Sequence, residues 1–159
     1  MRISLRHSAA TAAFVLGFAS GPFDIVLRHT STVPTARAEA RLVYAPSPFG
    51  IAVTVDGRSR YDVQVTATGL PEPSTLGDYS AYVAWEVSTD LAKWQRLGTI
   101  TNGETTVGQA ETNKFMLVIT AEASASPPKH AGPTVLHGIS PSGWLQSFMS
   151  HPLFRGISQ

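Results

Sequence analysis

Cysteine is absent from the 159-residue chain. That one absence excludes disulfide staples, thiolate nucleophiles, zinc ribbons and iron–sulfur clusters together. It also removes the thiolate ligand that a blue-copper electron-transfer centre requires. Charge is scarce: Asp, Glu, Lys and Arg make up 14% of the residues and nearly cancel at a net +1. From Arg41 onward eight basic residues stand against nine acidic ones. No basic stripe is left to neutralise phosphates, which excludes nucleic-acid binding as the main activity. Helical periodicity is scarce too, confined to DLAKW at 90–94 and WLQSFM at 144–149. Long apolar runs are missing: the one at 9–19 falls short of the roughly 20 residues that cross a bilayer as a helix.

That short run follows Arg2 and Arg6, which is the layout of a secretory leader. Small residues at Gly17 and Ala19 offer one cleavage point, and Ala36, Ala38 and Ala40 offer A-x-A patterns further on. An uncleaved membrane anchor or a misassigned start codon is the other reading of the same run. Residues 20–40 show no sustained periodicity and read as leader or linker. The expected organisation is therefore a signal segment and linker over 1–40, a domain over 41–143 and an apolar tail over 144–159. The mature chain is expected in the periplasm or outside the cell, without a membrane span.

Thirteen glycines and eleven prolines spread along the chain punctuate short elements and leave little room for long helices. Tyr61, Val63, Val65 and Ala67 alternate with Asp62, Gln64, Thr66 and Thr68, the period of a strand with one buried face. Ile51, Val53 and Val55 repeat the pattern upstream. The intervening Asp56-Gly57 predicts a hairpin that pairs the two segments antiparallel. Pro71 and Pro73 make 70–77 a crossing loop. In DYSAYVAWEVS both faces are apolar, which predicts a central strand whose Trp85 indole N–H needs an acceptor. QRLGTIT, TTVGQAE, KFMLVITAEAS and TVLHGIS follow at sandwich spacing. The expected fold is an all-β, immunoglobulin-like antiparallel sandwich of about seven strands.

The order Tyr79-x-x-Tyr82-x-x-Trp85, Leu97-Gly98, Asn102-Gly103, FMLVITAE at 115–122 and Gly132-Pro133-Thr-Val-Leu136-x-Gly138 resembles the extracytoplasmic domain of anti-sigma-K type regulators. Over residues 60–138 the resemblance implies an immunoglobulin-like sandwich. It implies no regulatory activity, because nothing here matches the family's sigma-binding domain or membrane helix. APSPFGIAVTVDGRSRYDV and SPSGWLQSFMSHPLFRG resemble the sandwich module that precedes some bacterial multicopper oxidases. The close His-x-His pairs and the Cys that hold copper in those enzymes are missing, so this resemblance implies a neighbour and no reaction.

Three chemistries remain to be weighed. His130, His137, Met149 and His151 fall in the last thirty residues, and imidazole with thioether suits copper. His137, Met149 and His151 form the metal set of a small periplasmic copper-handling protein, against which stands the reading of unrelated surface and core-edge histidines. Hydrolysis has no support: no G-x-S-x-G elbow occurs, and the Asp56 and Asp62 carboxylates flank a turn where acids are usual. The tail places Trp144, Leu145, Phe148, Met149, Leu153, Phe154 and Ile157 beyond the last predicted strand, more apolar surface than a loose terminus exposes. Either it folds back as a short helix that closes one end of the sandwich, or it docks on a protein partner through Trp144, Phe148, Met149 and Phe154. The expected function is a non-catalytic, exported binding or accessory module beside a multicopper oxidase, with no cofactor of its own.

Overall fold

The computed structural model describes residues 23–143. Ten strands run in order: β1 Asp24–His29, β2 Arg37–Tyr44, β3 Pro46–Ser47, β4 Gly50–Ile51, β5 Tyr61–Thr68, β6 Ala81–Val87, β7 Trp94–Ile100, β8 Gly103–Ala110, β9 Met116–Glu122 and β10 Thr134–Ile139. A single 3-10 turn, Pro73–Leu76, carries the chain from β5 across to β6. Eight strands join in one antiparallel order, β7-β6-β9-β10-β1-β2-β5-β8, and β3 and β4 form a separate ribbon. The fold is all-β, as the alternation predicts.

The eight-stranded sheet folds over at β1. Asp24 to Leu27 pair with β2, whereas Arg28 and His29 pair with β10, so this strand passes from one layer to the other, a recognised way of turning a sandwich corner. The layer β1-β2-β5-β8 thereby faces the layer β7-β6-β9-β10. Between them lie Ile25, Leu27, Ala40, Leu42, Val63, Val65 and Ala67 from one side, and Tyr82, Ala84, Leu117, Ile119 and Leu136 from the other. A linker expected over 20–40 is thus corrected to two strands, and a domain boundary at 41 falls inside β2. The alternation is present as Ile25 and Leu27, then Ala38, Ala40 and Leu42. The two strands are short and separated by the turn-rich stretch 30–36, so neither carries the alternation for long.

Opposite β1 the layers meet again at β7 and β8, joined by only Thr101 and Asn102. Each strand carries a bulge there, between Ala84 and Trp85 of the β6–β7 register and between Val63 and Gln64 of the β5–β8 register. The bulges let the two backbones cross in contact. A Cβ on Gly98 would lie 2.3 Å from the Val107 carbonyl oxygen, and Gly108 holds φ +146 beside the Leu97 carbonyl. Only glycine fits that crossing without displacement of backbone.

β6 is hydrogen-bonded on both edges, to β7 and β9, as its two apolar faces predict. Tyr82 and Ala84 point into the main core, whereas Val83, Trp85 and Val87 form a second cluster with Val118 on the outer face. The loop over 123–133 covers that cluster. The Trp85 indole N–H donates to Thr120 Oγ1 at 2.8 Å, and that hydroxyl donates to Glu122 Oε1 at 2.5 Å. The buried Glu122 carboxylate also accepts the Ala131 and Gly132 N–H groups at 3.1 and 3.2 Å, which ties the covering loop down.

Candidate functional site

One end of the sandwich collects most of the unusual chemistry. The segment 45–60 leaves β2 at Tyr44 and returns to β5 at Tyr61. The predicted pairing of 51–55 with 61–68 does not form, because β5 already has β2 on one edge and β8 on the other. With no edge left, the segment folds on itself into a short arm. Pro46 pairs with Ile51 and Ser47 with Gly50; a lone bridge joins Val53 to Ser59. Three backbone bonds knot its base: Ala45 N to Arg60 O at 2.9 Å, Ala52 N to Ala45 O at 2.7 Å and Arg60 N to Ala52 O at 2.8 Å.

The arm has two tips, one at Pro48-Phe49 and one at Val55-Asp56-Gly57. Phe49 and Val55 are fully exposed, and Ile51 and Val53 are about half exposed. This corrects the expectation that Ile51, Val53 and Val55 form the buried face of a strand. Burial of a Phe or Val side chain stabilises by about 1.5–3 kcal/mol, so two bare tips and two half-bare neighbours forgo more than any surface ion pair here returns. At the root of the arm the rings of Phe23, Tyr44 and Tyr61 cluster in edge-on and tilted contacts, with centroids 5.1 to 6.0 Å apart. Burial raises the Tyr61 phenol above its ordinary value, and a hydrogen bond with Tyr44 adds to the rise.

Charges at this end are local and balanced. Arg60 Nη2 meets Glu111 Oε1 at 3.2 Å, and Arg41 Nε meets Asp24 Oδ1 at 2.9 Å. Glu86, near the end of β6, is pushed up to about 7 by burial, with Glu111 adding repulsion. Its Oε2 is buried without a hydrogen-bond partner among the described residues, as is Arg60 Nε. The sequence reading passed over Glu86, although an acid inside so apolar a strand is a visible signal.

Of the candidate metal residues, only His130 and His137 fall among the described residues. His137 sits in β10 opposite Arg28 and lines an open groove with Asp24, Val26, Met116 and Pro141. His130 lies on the covering loop, stacked on Trp94 with centroids 3.7 Å apart and edge-on to Trp85 at 6.1 Å. Among the described residues no three His, Asp or Glu side chains converge as a metal set. Met149 and His151 lie outside the described residues, as do Trp144, Phe148 and Phe154. No helix of the described residues is long and apolar enough to cross a membrane.

Comparison with protein-family models, with curated proteins and with solved structures finds no match. Function therefore has to be read from the end of the sandwich itself. Sequence reasoning missed Phe49 altogether and took Ile51, Val53 and Val55 for core. The signal that points the other way is Pro46 and Pro48, which cannot donate to a ladder and mark the segment as irregular.

Proposed function

We propose that this chain is a non-catalytic protein-binding module, exported by its N-terminal leader, which grips its partner with the arm 45–60. The observation that carries the proposal is the full exposure of Phe49 and Val55 at two tips on one end of the domain. Loops at one end of a sandwich are where immunoglobulin-like domains present their contact residues. Aromatic anchors set into a partner's pocket supply most of an interface's energy, and Phe49 is placed to act as one. The partner required is a protein with an apolar recess. Because the resemblance to the module preceding multicopper oxidases rests partly on residues 45–63, such an oxidase is the first partner to try. Copper handling by this chain would need Met149 and His151, which lie outside the described residues, to reach His137.

A photo-reactive side chain at position 49 of the full chain, in the native host, is expected to capture one dominant partner. The purified partner should then bind wild type saturably and bind the Phe49→Ser, Val55→Ser double variant at least tenfold more weakly, with no change in melting temperature. Equal affinity for the variant removes the arm as the binding element.

A further inference from the structure

The arm and the C-terminal tail leave the domain from the same end. Gly143, the last described residue, is held there: its N–H donates to Ser140 Oγ at 3.0 Å, and that hydroxyl accepts the Phe115 N–H at 3.2 Å and donates to the Asn113 carbonyl at 2.7 Å. Pro141 lines the same groove as Asp24. Phe23, one residue earlier, packs edge-on against Tyr44 and tilted against Tyr61, between which the arm begins and ends. The point where the tail departs is therefore anchored beside the root of the arm.

Sixteen residues follow Gly143, and at no more than about 3.5 Å per residue they span up to roughly 55 Å. Neither tip of the arm is more than a few residues from its root, so both lie within reach. The tail carries Trp144, Leu145, Phe148, Met149, Leu153 and Phe154 with only Arg155 as a formally charged side chain. Two sets of apolar side chains thus emerge at one end of one molecule. The arm's tips are bare, and their covering by a tethered segment is favoured by an effective concentration in the millimolar range.

We propose that residues 144–159 fold back on the arm of their own chain and cover Phe49 and Val55 in the free protein, to be displaced when a partner takes the arm. This rests on the binding role of the arm and names what holds that surface until the partner arrives. Residues 1–22 also lead into Phe23, but their apolar run is the part that export removes, and a second copy would have to compete with a tethered segment.

Absence of cysteine makes the test clean, since Val55→Cys gives the full chain one attachment point for a nitroxide. With that label on an isotope-labelled chain, backbone amide signals of the tail are expected to broaden strongly. In a mixture of unlabelled nitroxide-bearing chains and isotope-labelled chains without the label, they should stay sharp. Sharp tail signals in the first sample overturn the proposal. So does broadening in the mixture, which assigns the surface to a second copy, and so does broadening confined to residues 1–22. Signals from Thr66 to Thr68, at the end of β5 opposite Tyr61 and the arm, report in every sample that the domain is folded. Broadened tail signals in a chain that captures no partner would remove the binding role and keep the tail contact. A captured partner with a sharp tail would do the reverse.

Discussion

Trp85, Thr120 and Glu122 form a chain of hydrogen bonds in which each member needs the next. The indole N–H is buried and has the Thr120 hydroxyl as its acceptor; that hydroxyl can accept it because its own proton goes to Glu122. Replacing Thr120 by Val keeps the shape and removes both functions, leaving a buried N–H unpaired at a cost of about 1–3 kcal/mol. Urea unfolding of Thr120→Val should show that loss, and the Trp85 emission should shift as the loop over 123–133 loosens. Glu86 gives a prediction of opposite character. Its carboxyl is raised from 4.5 to about 7 by burial first and by Glu111 second. The folded state therefore holds a proton that the unfolded state releases at lower pH. Stability is greatest below about pH 4.5 with respect to this group and falls as pH rises through 7. Allowing for the solvent that still reaches the side chain, the loss is on the order of 1 kcal/mol. Denaturation of Glu86→Gln across pH 4.5 to 8 is expected to lack that slope and to exceed wild type above pH 7.

Among the elements, the arm and the β7–β8 crossing represent two uses of turn chemistry. At the crossing, Gly98 and Gly108 permit backbone contact that closes the side of the sandwich away from β1. In the arm, Pro46, Pro48 and Gly57 hold a segment out of the sheet. Only Ala45 of the arm is part of the buried interior. Replacing residues 46–59 by a two-residue Asn-Gly turn is accordingly expected to leave cooperative unfolding intact and to change stability by less than about 1 kcal/mol. A calorimetric scan decides this, and a large drop in melting temperature would mean that the arm is structural. The segment's alternation was legible in the sequence and its Asp56-Gly57 turn was real, since Thr54 N bonds to Arg58 O across it at 2.7 Å. What alternation could not report is which strand edges remain open, and both edges of β5 are occupied.

For the molecule as a whole, β1 decides the outcome. It pairs with β2 through Asp24 to Leu27 and with β10 through Arg28 and His29, and it adds Ile25 and Leu27 to the core. Cleavage after Ala40 would remove this strand, half of β2 and the buried Val33 and Ala36. A chain beginning at Arg41 is therefore expected to give no cooperative melt by circular dichroism, whereas one beginning at Gly21 should fold. If export removes a leader, the Gly17–Ala19 region is the cleavage point compatible with the fold.

The sequence by itself determined the all-β class, the buried faces of β5 and β6, the crossing loop at 70–77 and the absence of any disulfide. These follow from side-chain period, proline and composition, which are local properties of the chain. Tertiary structure alone decided that β1 pairs with both β2 and β10 and so joins the two layers, that Ile51, Val53 and Val55 face solvent, and that the arm and the departing tail share one end. Those facts depend on which edges and which ends meet in space, and hydrogen-bond partners far apart along the chain leave no mark on local pattern.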